Sequence, residues 1–186
     1  MERKKIAVLI GSARKESFSR KVARTLMSVA PDSLEMVIVE VDQIPFYNQD
    51  LEDAGATPPA WLVLREQVRA CDGLLFVTPE YNRGLPAMLK NAVDVGSRPP
   101  GKSVWSGKPA AVVSISPGPL GGFGANHSLR QSLVSLNVPC MQQPEAYLGN
   151  VAGMFDAGGN MTADSTREFL TKFAASFARW VERQTA

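Results

Sequence analysis

The 186-residue chain predicts a doubly wound α/β fold, with a five-stranded parallel sheet sandwiched between two layers of helices. Short continuous apolar runs rich in branched residues recur along it, as expected for parallel strands covered on both faces. Between them the apolar positions spread out to helical spacing. Glycine, proline and serine then gather in the segments that leave the strands.

Residues 6–10 are the first apolar run, bounded by charge before and by Gly11-Ser12 after. In the helix expected over 18–30, Val22, Ala23, Leu26, Met27 and Ala30 share a face, and Pro31-Asp32 ends the pattern. A second strand is expected at 36–41, followed by an irregular stretch, 42–59, holding Pro45, Gly55, Pro58 and Pro59. Residues 60–70 read as a helix and 73–78 as a third strand. A polar turn at 79–86 leads into a helix at 87–95. The Pro/Gly-rich connection 98–108 precedes a fourth strand at 109–115, and 116–124 is rich in glycine. A helix at 126–136, a short last strand at 138–142 and an amphipathic helix at 167–181 complete the series.

Five strands favour the order 2-1-3-4-5 over the six-stranded dinucleotide arrangement. In either, ligands bind beyond the carboxyl ends of the strands. The connections at 11–19, 42–59, 79–86 and 116–124 are therefore the ones that matter.

Length points to one domain over 1–186. With 45 % hydrophobic and 20 % charged residues, the chain has material for a core and no disordered bias. A net charge of +2, spread without a basic stripe, argues against a nucleic-acid partner. The polar lead 1–5 and the brief apolar run after it suit neither a signal peptide nor a membrane span, so the expected location is the cytoplasm. Cys71 and Cys140 match no metal-ligand spacing and read as buried thiols, and no metal is expected.

The segment 11–19 combines Gly11, Ser12, Ser17 and Ser19 with Arg14 and Lys15 at a helix start. Free amides and the positive end of the helix dipole favour an anion there, and the hydroxyls and Arg14 add donors. It lacks both the P-loop pattern and Gly-x-Gly-x-x-Gly, which points to a terminal phosphate monoester held partly by side chains. Pro79-Glu80-Tyr81-Asn82-Arg83-Gly84-Leu85-Pro86 is a stiff turn, suited to a flat ring that needs a wall and aimed amides. The third segment carries Gly118, Gly121, Gly122 and Gly124, so backbone can approach a ligand closely.

Together these segments resemble the NADPH-dependent FMN reductase family, which includes FMN-bound quinone, chromate and azo-dye reductases. The likeness rests on Gly11-Ser12-x-Arg14-x-x-Ser17, on Pro79-Glu80-Tyr81-Asn82 with Pro86 and Leu89-Lys90-Asn91, and on Gly121-Gly122. It implies a flavodoxin-like fold, bound FMN, and NADPH or NADH as co-substrate. By the same resemblance, Ser12, Arg14, Ser17, Phe18 and Ser19 would hold the FMN phosphate. Pro79, Glu80, Tyr81 and Asn82 would line the ring, and Ser116, Gly118, Gly121 and Gly122 would form the other wall.

Two prolines, Pro117 and Pro119, remove amides from that last loop. Hydride chemistry would belong to the flavin, so no catalytic side chain is expected. The acceptor would be a quinone or another small molecule, and the chain would form a homodimer or homotetramer. His127 reads as a helix-surface residue with room for substrate contact, and Trp105 as packing. A flavodoxin-type single-electron carrier without a nicotinamide site is the rival reading, although such carriers are strongly acidic. A regulatory or structural FMN-binding subunit is a third.

Overall fold

Lys4–Ile10 forms β1, a strand whose last five residues are buried on both faces, in keeping with its unbroken apolar run. The computed structural model describes residues 3–186, so Met1 and Glu2 of the polar lead lie outside the described residues. The chain continues through α1 (Phe18–Val29), β2 (Leu34–Val39), α2 (Gln49–Asp53), α3 (Pro59–Arg69) and β3 (Gly73–Pro79). It closes with α4 (Ala87–Gly96), β4 (Ala110–Ile115), α5 (Phe123–Ser135), β5 (Ala146–Leu148), a 3-10 turn at Val151–Met154 and α6 (Asp164–Gln184).

The sheet is parallel throughout, in the expected order β2-β1-β3-β4-β5. Strand alternation divides its core in two. Ile6, Val8, Ile10, Leu75, Val77, Val113 and Ile115 meet Val22 and Leu26 of α1 and Phe173 and Phe177 of α6 on one face. On the other, Ala7, Leu9, Leu74, Phe76 and Val112 meet Trp61, Leu64, Leu89, Val93 and Leu129 from α3, α4 and α5. Trp105 packs on this second face as expected, fully buried, with Nε1 donating to Val93 O at 2.9 Å.

The structure differs from the sequence reading at several elements: β2 lies at Leu34–Val39 instead of 36–41, α5 starts at Phe123 instead of 126, and four further differences bear on the fold. The last strand is 146–148, not 138–142. The earlier segment touches β4 only through an isolated bridge between Ala110 and Cys140. Pro139 and Pro144 have no N–H to donate, which limits the ladder to a point contact there, and pairing resumes at Val113–Ala146. Inside the stretch read as irregular, Gln49–Asp53 is helical. Its cap is Asn48, whose Oδ1 accepts from Asp50 N at 3.0 Å. The closing helix runs to Asp164–Gln184, longer than expected at both ends. Cys71 is buried, but Cys140 is only half-buried, where Arg130 Nη1 approaches its sulfur at 3.3 Å.

Candidate functional site

β1 and β3 are neighbours, yet the chain leaves β1 for β2 on one side and returns to β3 on the other. That reversal is where doubly wound sheets open a crevice at the carboxyl ends of their strands. The registers Ile10–Val77 and Pro79–Ile115 bring the starts of segments 11–17, 80–86 and 116–122 side by side at that edge. Gly11 seals the join. A Cβ there would stand 2.9 Å from Thr78 Oγ1 and 3.1 Å from Pro79 Cδ.

At the first segment, Ser17 caps α1, its Oγ accepting from Arg20 N at 3.3 Å. Ser12 Oγ accepts weakly from Arg14 N at 3.4 Å. Both hydroxyls retain an O–H to donate. Ser19 is different: its hydroxyl is buried and has no hydrogen-bond partner. Buried polar groups are normally satisfied, so a wholly orphaned hydroxyl on the first turn of a helix asks for an external partner. By the geometry of a helix start, the Phe18 and Ser19 amides have no intrahelical acceptor. Arg14 and Lys15 are exposed alongside. Phe18 is half-buried; its ring stacks on Phe155 at 6.2 Å, with Lys21 Nζ 5.7 Å above it.

The second segment is a two-residue hairpin. Tyr81 and Gly84 exchange hydrogen bonds at 3.1 and 2.9 Å, and Asn82 and Arg83 sit at φ 50° and 63°. Positive φ at both tip residues is the type I′ turn, which Asn tolerates well and which fixes the direction of every amide around it. Tyr81 is 54 % exposed and free to meet a ligand. The Glu80 carboxylate accepts from Ala125 N of α5 at 3.0 Å, which leaves its main chain as the part available to a ring.

The third segment has a different structure from the one its composition suggested. Gly121 and Gly122 adopt φ 60° and 74°. A Cβ on Gly121 would lie 2.5 Å from the Tyr147 carbonyl carbon, and one on Gly122 2.9 Å from Ile115 O. These glycines are required by the protein's own backbone, which crosses here, and not only by the approach of a ligand. Gly118, by contrast, has open space where a Cβ would be. Ser116 Oγ donates to Gly118 O at 2.8 Å, closing the loop locally.

Sequence reading missed the residues that hold these segments. Ser114 Oγ donates to Gly121 O at 2.7 Å and accepts from Asn126 Nδ2 at 3.1 Å, pinning the glycine loop from beneath. Asn91 Oδ1 accepts from Tyr47 N at 2.9 Å, and its Nδ2 donates to Ile44 O and Pro45 O at 3.1 and 3.0 Å. The asparagine of Leu89-Lys90-Asn91 is thus a staple for the neighbouring loop. The sequence signal for Ser114 is a polar residue inside an apolar strand run, and for Asn91 its place in Leu89-Lys90-Asn91, to which the sequence alone assigns no role.

His127 lies on the exposed face of α5, as expected, with Nε2 3.0 Å from Tyr147 Oη. Burial, together with the hydrogen bond from Tyr147 Oη to Glu145 Oε1 at 2.8 Å, pushes the Tyr147 phenol up to about 12. Because Tyr147 gives its one proton to Glu145, the imidazole must donate through Nε2. A surface hollow of about 470 Å³ lined by Lys4, Pro31, Leu34, Ala175 and Arg179 lies at the amino ends of the strands. It is remote from this crevice.

Residues 4–153 match the model of the family described as NADPH-dependent FMN reductase. The chain belongs to that family. A quinone reductase of Pseudomonas putida is 58 % identical over 181 residues, covering 97 % of this chain and 96 % of the relative. A 2-hydroxy-1,4-benzoquinone reductase of a Burkholderia species is 41 % identical over 177 residues, covering 95 % and 96 %. Among solved structures, the flavoenzyme NAD(P)H:(acceptor) oxidoreductase FerB of Paracoccus denitrificans superimposes with a TM-score of 0.90. The two are 38 % identical over 97 % of this chain and 98 % of that one.

FMN with NAD(P)H as co-substrate is the cofactor pairing of an FMN reductase, and the residues at the crevice fit it. The orphaned Ser19 hydroxyl, the uncommitted protons of Ser12 and Ser17, and two exposed cations form a donor set for a phosphate monoester. Beside it, the rigid type I′ hairpin offers a wall of fixed amides.

Proposed function

We propose that the chain is an FMN-bound, NAD(P)H-dependent oxidoreductase that passes two electrons to a quinone or similar small acceptor, working as one domain over 1–186. The observation that carries this reading is the buried, partnerless Ser19 hydroxyl on the first turn of α1, in the same segment as the exposed Arg14. Ser12, Arg14, Ser17 and Ser19 would hold the phosphate. The hairpin 80–84 and the loop 116–122 would grip the ring from its two sides. Bound FMN would supply the hydride chemistry.

The protein's task is then to orient and to neutralise. Amides at the start of α1 and the Arg14 guanidinium offset the phosphate charge. Hairpin amides, immobilised by the two left-handed residues, stay aimed without reorganisation. Quinone reductase relatives and the moderately basic charge of this chain support an enzyme over an acidic carrier. The same accessible site suits chromate as a further acceptor.

Phe46, Tyr81, Leu120 and Phe123 are exposed on the ligand-side loops, which supports assembly as a homodimer or homotetramer. Among the described residues no helix is long and apolar enough to cross a membrane. The unpaired thiols of Cys71 and Cys140 accord with the cytoplasm.

The test is anaerobic mixing of the flavin-loaded protein with NADPH and with NADH in turn. Rapid loss of the visible flavin absorbance, restored by adding a benzoquinone, is the expected result. An unchanged spectrum with both dinucleotides sinks the enzyme reading and leaves the carrier.

A further inference from the structure

Helices α1, α4 and α5 each follow a segment at the ligand edge of the sheet, and the N-termini of α1 and α5 differ. α1 has a serine cap, the orphaned Ser19 hydroxyl and two cations. α5 has Gly122 in the left-handed conformation as its cap residue, with no side-chain cap of its own. Its third amide, Ala125 N, donates instead to Glu80 Oε2 at 3.0 Å, across 45 residues of sequence. Glu80 Oε1 meets Arg83 Nη1 at 3.3 Å, and the Glu80 side chain is 10 % exposed while that of Arg83 is 70 % exposed. Beneath this contact lies Gly124, where a Cβ would stand 2.5 Å from Arg83 O and 2.9 Å from Glu80 Oε2.

We infer that Glu80 is a positioning residue: its carboxylate caps α5 from the facing hairpin and so fixes the separation of the two walls of the crevice. The geometry gives it two effects. A carboxylate on a helix N-terminus satisfies an otherwise orphaned amide and complements the dipole. It also fills the α5 terminus with negative charge, which disfavours an anion there. Gly124 lets the hairpin backbone sit directly on α5, and Glu80 locks it there. The hairpin could otherwise pivot about Pro79 and Pro86, because its own tip is held by the Tyr81–Gly84 pair and by the Arg83 contact to Glu80 itself. The effect on the flavin rests on the function proposed above, whereas the cap itself does not.

The experiment compares Glu80→Ala and Glu80→Gln with the unmodified protein. Hydrogen exchange at the Ala125 amide is measured by NMR without flavin. FMN affinity and the visible circular dichroism of bound FMN are measured with it. Glu80→Ala is expected to speed Ala125 exchange and to weaken FMN about five- to tenfold, the factor a lost helix cap is worth, with an altered dichroism band.

Glu80→Gln keeps a side-chain carbonyl for the amide and is expected to restore exchange protection and the dichroism band. Unaltered Ala125 exchange in Glu80→Ala overturns the cap. Altered exchange with unaltered FMN affinity and dichroism overturns the role in setting the walls. If the unmodified protein itself fails to take FMN, the proposed function falls, while the exchange arm still decides whether the cap exists.

Discussion

Segments 11–19 and 42–59 both leave strands at the ligand edge and both are rich in polar residues, yet the structure treats them in opposite ways. The longer one is tied to the protein. Asn91 holds the backbone of residues 44, 45 and 47, and Trp61 Nε1 donates to Pro45 O at 2.8 Å. Tyr47 packs on Trp61 with ring centres 5.2 Å apart. Arg65 Nη1 pairs with Glu52 Oε1 at 2.5 Å while its Nε donates to Val95 O at 3.0 Å. Burial, with Glu52 adding to it, holds the Tyr47 phenol above its ordinary value.

The shorter segment has few ties and leaves an entire hydroxyl without a partner. Arg65 also has a spare Nη2, but on a guanidinium that is already engaged twice. Polar groups satisfied from within mark scaffold; a buried group left over marks a place kept for a ligand.

This contrast can be broken by substitution. Glu52→Ala is expected to have the largest effect, because it leaves the buried Arg65 charge without its partner, at a cost of about 3–5 kcal/mol. A fall in the denaturation midpoint reads it out, and FMN affinity of the molecules that remain folded is expected to hold. A parallel collapse of FMN affinity would mean that the two segments are not separable.

Next in size, Arg14→Ala is expected to weaken FMN binding by about tenfold or more, as for a lost charge-assisted contact of ~1.5–3 kcal/mol. Lys15→Ala is expected to change it much less, and equal losses in the two variants would refute the phosphate assignment. Smallest is Ser19→Ala, about fivefold weaker for FMN at ~1 kcal/mol for one neutral hydrogen bond. Its value is in the sign of a second measurement. Without flavin this variant should melt no lower than the parent, since it removes an unsatisfied buried group, whereas a satisfied structural serine would cost stability when truncated.

Much of this was legible in the chain itself. Unbroken apolar runs such as 6–10 and 73–78 gave parallel strands, and the periodic apolar face after the serine-rich turn gave α1. The turn 79–86 stood out because two prolines frame it, though its conformation did not, because Asn82 and Arg83 reach positive φ only within the bonded hairpin. Gly121, Gly122 and Gly124 were legible as a place of close backbone approach, and the structure adds the protein's own backbone to what approaches. What they accommodate is backbone from Tyr147, Ile115 and Arg83, none of it local. The last strand was misplaced because 138–142 has the right composition, while the ladder depends on where prolines let β4 find a donor.

Local pattern therefore determined the class of fold and the three segments that carry chemistry, because periodicity and turn residues act over a few residues, while the strand count favoured the order that the sheet adopts. Only the tertiary structure decided which polar groups in those segments are spent on the protein and which are free. Hydrogen bonds such as Glu80 to Ala125 and Asn91 to Tyr47 join residues 45 and 44 positions apart, and no local pattern encodes such a pairing. Ser17 and Ser19 are the same residue type two positions apart, and the fold makes one a helix cap and leaves the other without a partner.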